Sequence, residues 1–457
     1  AELDDASLAK ADEMYVKLKT VHKTLKSYDD ESLTEADRLS KEIALYLLDF
    51  AKDAEQYRYH NYPVNQLFGI QNGYPSFMEA QHQVNSVADA ENYLARLEKV
   101  KHKFSQELEG IRLREEKGII PPAFVIERVL DEMNNFVEQP VQENILYSAL
   151  AKKMSDSENF SADEQQQLLA KAKSNIVTFV HPAYQLLIDY FTQLQAKATD
   201  DDGFWRLPDG DKAYASALQF FTTTDYTPQY IHDVGLKEVA RIQSEILAIL
   251  VAQGYDISQG FTAAIESLAA QESFYYPDTD EGRAQILKDY QTILDEIDAG
   301  LDSAFRIRPK AGMEVARIPE FKEKTAPGAY YQQPAIDGSR PGRFFANLYD
   351  IKATPKYSMR TLAYHEGIPG HHFQIAVAME LEGLPLFRMF SPFTAYVEGW
   401  ALYSEYLAWE MGFQDDPFDN IGRLQAELFR AVRLVVDTGI HYKKWTRQQA
   451  IDYMKSN

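Results

Sequence analysis

Apolar residues recur at helical spacing through most of this chain. Residues 5–56 and 85–117 carry long three-to-four-residue periodicity with few breakers, which predicts helices. Gly118-Ile119-Ile120-Pro121-Pro122 punctuates the start of another, and the pattern continues over 124–152 and 162–197. Thr199 to Asp211 is polar and contains Gly203, Pro208 and Gly210, which is turn chemistry. Helical periodicity resumes near Leu218 and over 228–252, 260–270 and 281–302. Between about 304 and 350 it gives way to alternation, at Met313–Ile318 and Phe344–Tyr349, with Pro and Gly clustered between, which predicts a small sheet. The expected class is mainly α with a small β-sheet near residues 310–350. A helical lobe over 1–200 precedes a second lobe over 201–457, the division near 200 being soft enough that one continuous domain also fits.

Composition narrows the function. The 457 residues are 45% apolar, ample for a large core, and no run of about 18 apolar residues predicts a membrane span. A net charge of −22 argues against nucleic acid and anionic membrane surfaces as partners. Cysteine is absent, which excludes disulfides and thiolate ligands and leaves histidine and carboxylate as the donors for a zinc ion.

Histidines supply the candidate chemistry. Three of the ten, His365, His371 and His372, fall in the run YHEGIPGHHFQ over 364–374. Zinc hydrolases commonly carry two histidines four apart on one helical face, with a glutamate beside the first as general base. His365-Glu366 provides the first half, but the second histidine arrives six or seven residues later. On a regular helix of about 100° and 1.5 Å per residue, His365 and His371 point about 120° apart, while His365 and His372 sit roughly 10 Å apart along the axis. Neither pair holds one ion unless the helix is distorted. Pro369 and Gly370 lie between them, and proline there deletes the hydrogen bond to the His365 carbonyl, so a kink or bulge is expected. A two-residue bulge makes His371 the second ligand and leaves His372 as a neighbour or alternative ligand.

Phe393 to Trp409 predicts a helix with two carboxylates, Glu398 and Glu405, seven apart on one face. Sites of the two-His, one-Glu type take the glutamate from a second helix and leave a fourth position for water. Glu398 is the expected third ligand and Glu405 the reserve or supporting group. The block from Arg433 to Tyr442 begins as helix and is expected to break at Thr438-Gly439, presenting His441 or Tyr442 to steady an oxyanion. Arg433 and Asp437, four apart, suit a helix-surface pair. The small sheet offers an edge against which an extended peptide pairs, with Tyr330, Tyr331, Arg340 and Asn347 facing the cleft.

The runs YHEGIPGHHFQ, VEGWALYSE (397–405) and VVDTGIHYKKWTRQQAIDYM (435–454) resemble the bacterial domain-of-unknown-function 885 family, which includes many candidate lipoproteins. Tyr330-Tyr331 with Asp337 to Gly342, Gly118 to Pro122, and Tyr214 with Thr222-Thr223-Thr224 resemble its other blocks, so the likeness spans most of the chain. That family is similar in turn to helical zinc peptidases of the thimet oligopeptidase and peptidyl-dipeptidase kind. The resemblance implies a zincin-like, thimet-oligopeptidase-like fold, favours His371 over His372, and implies export to the periplasm or a lipid anchor upstream of Ala1. It also implies that a further helical segment with a Tyr and a Pro-Gly-Gln motif follows Asn457, so the sequence is expected to be trimmed.

The expected function is a zinc-dependent metallohydrolase, a peptidase acting on short peptides. His365, His371 and Glu398 bind Zn2+, Glu366 is the base, and His441 or Tyr442 assists. The same centre also suits a non-peptide amide or ester. The alternative outside enzymes is an exported helical binding lipoprotein with a vestigial metal site.

Overall fold

The computed structural model describes residues 2–318, 323, 326–336, 338, 340–390 and 393–457. The chain forms two compact units, residues 1–213 and 214–457.

Polar caps and apolar stripes build the first unit. Ser7 caps α1 (Leu8–Lys26), Thr34 caps α2 (Glu35–Asp53), and α3 (Ile70–Ala80) follows. Ser86 caps α4 (Val87–Glu116), whose Tyr93, Leu97, Val100, Phe104 and Leu108 repeat at helical spacing and are buried. Around this stripe pack α5 (Ala123–Glu138), α6 (Ile145–Ser155), α7 (Ala162–Asn175) and α8 (His181–Leu194). The stretch expected as helix over 5–56 divides near Ser27–Thr34, where the Thr34 hydroxyl accepts from Asp37 N–H and starts a new helix. The stretch over 124–152 divides in the same way, because Pro140 follows the end of α5 and the Asn144 side chain caps α6.

The chain enters the second unit within α9 (Gly210–Thr222). Next come α10 (Pro228–Ala252), α11 (Phe261–Ala269) and α12 (Asp280–Gly300). A three-stranded sheet follows, formed by β1 (Met313–Arg317), β2 (Ala329–Gln332) and β3 (Gly342–Ala346) in the order β1-β3-β2. β3 runs parallel to β1 and antiparallel to β2, and Phe344 pairs with Val315 on one side and Tyr331 on the other. The second expected strand thus lies earlier than its alternation suggested. Asn347 leaves it because its side-chain amide bonds the carbonyls of Glu323, Ala326 and Pro327. β2 sits among the prolines and glycines that hid it.

Among the described residues, six further α-helices follow the sheet: α13 (Lys356–Glu366), α14 (His371–Met379), α15 (Leu386–Met389), α16 (Thr394–Glu410), α17 (Pro417–His441) and α18 (Arg447–Ser456). One core forms where α12, β3, α13 and α14 bury Tyr290, Leu294, Phe344, Met359 and Phe373. A second forms between α10, α11 and α17 around Ile242, Ile246, Leu268, Leu424 and Val432. α13 belongs to both, through Met359 and Tyr357, so its first turn is held from two sides, while Ala363 and Tyr364 seat its later part in the first core. Among the described residues no helix is long and apolar enough to cross a membrane.

Candidate metal centre

α13 ends at Glu366 and α14 begins at His371. The expected bulge is therefore a complete break of the four residues Gly367 to Gly370, with a cis Ile368–Pro369 peptide. Two glycines permit it. A Cβ on Gly370 would lie 2.0 Å from the His365 carbonyl oxygen, and one on Gly367 would lie 2.5 Å from Leu294 Cδ2 and 2.8 Å from Met313 Cε. α16 fixes the far side, since Trp400 Nε1–H and Ser404 Oγ–H donate to the Pro369 carbonyl at 2.8 and 3.2 Å.

Breaking the helix swings His371 back toward His365. Their rings stand 4.7 Å apart, nearly perpendicular, and α16 presents Glu398 to both. His365 Nε2 lies 3.6 Å from one Glu398 oxygen and His371 Nε2 lies 3.6 Å from the other. The three donor atoms fall within 4.8 Å of one another. Two bonds of about 2.0–2.1 Å at a tetrahedral angle hold their donors roughly 3.4 Å apart, so the donor set and spacing suit zinc. Both imidazoles are buried whereas the Glu398 side chain is 56% exposed, so the group opens to solvent on one side.

The electrostatics favour a cation. Burial alone would lower the His365 pKa, but hydrogen bonds to Glu398 and Glu405 outweigh it and hold the imidazole up at about 9. His371 is pushed down to about 4, by burial first and then by the neighbouring His365 charge. The hydrogen bond with His365 holds Glu398 below the usual carboxylate range. Glu366 is buried, which raises its carboxyl to about 7, and it accepts a hydrogen bond from the Tyr331 backbone N–H. A carboxyl poised there both takes and returns a proton near neutrality.

Behind His365 lies a support that sequence reasoning only half anticipated. His365 Nδ1 is 2.8 Å from Glu405 Oε1, and Glu405 is 1% exposed. With Nδ1–H donating to Glu405, Nε2 is the nitrogen left facing Glu398, and it could bind a metal ion on losing its proton. Glu405 thus meets His365 from behind and lies outside the group of three donors. Arg430 Nη2, on α17, completes the arrangement 3.2 Å from the same Glu405 oxygen and 3.1 Å from His365 Nδ1. Nothing in the sequence singled out Arg430, because arginines recur along α17 at 423, 430 and 433.

The remaining candidates divide. His372 turns away from the cluster. Its Nδ1 meets Tyr331 Oη at 3.0 Å and its Nε2 meets the Ala311 carbonyl at 3.1 Å, so the two nitrogens tie α14 to β2 and to the segment leading into β1. Tyr331 therefore touches Glu366 and His372, whereas Tyr330 stacks on Phe345 with ring centroids 4.9 Å apart. Arg340 and Asn347 do not serve as open cleft groups. Arg340 donates to the carbonyls of Pro341 and Gln333, and Asn347 braces the loop before β2. Asp337 and Ser339 lie outside the described residues.

His441 and Tyr442 also require correction. α17 continues through Thr438-Gly439, because Thr438 Oγ1–H bonds back to the Leu434 carbonyl and meets His232 Nδ1. Gly439 admits Trp445, whose ring would stand 2.5 Å from an added Cβ, so this glycine serves packing and not a break. His441 lies eleven residues beyond Arg430, about 16 Å along the helix axis, and packs against Tyr214. Asp437 accepts from Tyr214 Oη at 2.5 Å and Arg433 lies over the Phe429 ring, so neither serves primarily as the other's surface partner.

The chain belongs to the DUF885 family, described as bacterial protein of unknown function, whose model matches residues 1–457. A crystal structure of a candidate lipoprotein from Colwellia psychrerythraea matches with a TM-score of 0.92 and 32% identity, over 97% of this chain and 77% of that one. A candidate lipoprotein of unknown function from Shewanella oneidensis matches with a TM-score of 0.70 and 16% identity, over 99% and 83% of the two chains, and shows the fold alone. No curated protein matches the chain.

Proposed function

We propose that this protein is a zinc-dependent peptidase of short peptides, with a zincin-like arrangement related to that of thimet oligopeptidase. One observation carries the reading: two buried Nε2 atoms, each 3.6 Å from a Glu398 oxygen, beside a buried glutamate in the next position of the chain. His365, His371 and Glu398 would hold the ion. A zinc ion in such a donor set lowers the pKa of a water it binds toward about 7 and polarises a carbonyl.

The chain's own groups perform the rest. Glu366 receives the proton of the attacking water on its carboxylate and returns it to the leaving amine. Its raised pKa suits both transfers. Glu405, steadied by Arg430, keeps the His365 proton on Nδ1, which orients the ring. β2 supports a peptide substrate in particular. It occupies one edge of the sheet, its Tyr331 N–H reaches Glu366, and an extended backbone aligned along that edge would lie beside the base. The candidate-lipoprotein relatives support export or lipid anchoring.

Digestion of a mixed peptide library with zinc-loaded protein and its Glu366→Gln variant tests this reading. Wild-type cleavage lost in the variant supports it. Hydrolysis of amides or esters but not peptides would move the centre to another substrate, and no hydrolysis by zinc-loaded protein would favour a binding role.

A further inference from the structure

The helix that presents Glu398 is unusual on its outward face. Over Thr394–Trp409 the only charged residues are Glu398 and Glu405, both turned to the metal centre. The face turned away from the core carries Tyr396, Tyr403 and Tyr406, which are 53%, 49% and 41% exposed, and Glu410, the last residue of the helix, hydrogen-bonds the Tyr406 hydroxyl. A surface helix normally clothes that face in charge, so an aromatic one is suited to a partner.

Gly399 sharpens the point. It lies inside α16, immediately after Glu398, with nothing within 4 Å of where a Cβ would be. Glycine is a poor helix former, and here no turn or close backbone approach calls for it. What its missing side chain leaves is space. A pocket of about 250 Å³ opens there, lined by Gly399, Leu402, Tyr403, Tyr406 and the Arg423–Glu427 pair. Glu405, which also lines it, contacts His365, so the pocket lies one side chain from the metal group. Arg423 does not make it an anion site. Its guanidinium is 3.2 Å from Glu427 and lies over the rings of Tyr406 and Trp409.

We infer that this pocket is a specificity subsite that admits a large apolar or aromatic side chain of a peptide bound at the metal centre, with Gly399 holding it open. The inference rests on the peptidase reading for its substrate class. The space suits one side chain of Leu or Phe size, and aromatic walls with an internally neutralised ion pair favour such a group over a charged one.

Binding of the peptides Ala-Ala-X-Ala-Ala, with X as Phe, Leu, Gly or Asp, to zinc-loaded Glu366→Gln protein tests the inference by calorimetry. The same series is measured with Gly399→Leu added, and cleavage by the wild type is followed in parallel. The Phe and Leu peptides are expected to bind about tenfold or more tighter than the Gly peptide, with the advantage falling to about twofold or less once Gly399→Leu fills the space. Leu402→Asp, which places a charge one helical turn from Gly399 on the same wall, should remove the same advantage. Unchanged melting temperatures establish that the variants fold. An equal preference with and without Gly399→Leu, a preference for the Asp peptide, or no binding of any peptide would each overturn the inference. A Gly399-dependent preference without any wild-type cleavage would leave the subsite standing and remove the peptidase reading.

Discussion

Gly370 and His365 are locked together: a single methyl group on Gly370 would stand 2.0 Å from the His365 carbonyl oxygen. The contact marks where α13 ends and the chain doubles back, and it sets the position of His371. Gly370→Ala should therefore displace a ligand it does not contain. The expected outcome is a loss of about 1–3 kcal/mol of stability and a fall of tenfold or more in zinc affinity, read by thermal melts and competition with a chromophoric chelator. Normal affinity would mean that the break tolerates a side chain and does not position His371.

His371 and His372 make opposite predictions despite being neighbours. His371→Ala should lose zinc, because it removes one of three protein donors. His372→Ala should keep zinc but lower turnover, since it frees Tyr331 Oη and the Ala311 carbonyl and loosens β2 beside Glu366. Zinc content and steady-state kinetics on the two variants distinguish the roles, and the reverse pattern would show that the register is misassigned.

How far the site was legible in the sequence depends on how far its causes lie along the chain. Pro369 and Gly370 announce a disruption locally. The full extent of the break depends on Gly367, whose need for a missing side chain comes from Leu294 and Met313, far away on α12 and β1. Glu398 could be proposed from spacing on a second helix, but Arg430 is one arginine of several on an amphipathic helix and only folding distinguishes it. His441 misled for a related reason. A Thr-Gly step resembles a helix stop until Trp445 is seen filling the space above Gly439. The helices were legible as periodicity, whereas β2 is four residues among prolines and glycines and becomes a strand through pairing with β3.

The support behind His365 gives a graded prediction. Glu405→Gln and Arg430→Met should each weaken zinc binding by about 10- to 100-fold without abolishing it, as changes to groups that orient a metal ligand do. Glu398→Ala should be more severe. Equilibrium dialysis against buffered zinc would place the three variants in order, and an unaffected Glu405→Gln would show that His365 needs no orientation by that carboxylate.

Chelation should destabilise the second unit selectively. A ligand present at 1,000 times its dissociation constant stabilises a fold by about 4 kcal/mol, and removing it forfeits that amount. Calorimetry with and without EDTA should shift the transition of residues 214–457 to lower temperature. His365→Ala protein should show no such shift, whereas an equal EDTA effect in that variant would place the metal elsewhere.

On the proposed function, one zinc ion binds between His365, His371 and Glu398. Anomalous X-ray scattering, recorded above and below the zinc edge from crystals of zinc-loaded protein, tests it most directly. The expected result is a single strong peak about 2.0–2.1 Å from His365 Nε2, His371 Nε2 and a Glu398 oxygen. No peak there, or a peak bound by His372 or Glu405 in place of those donors, would contradict it.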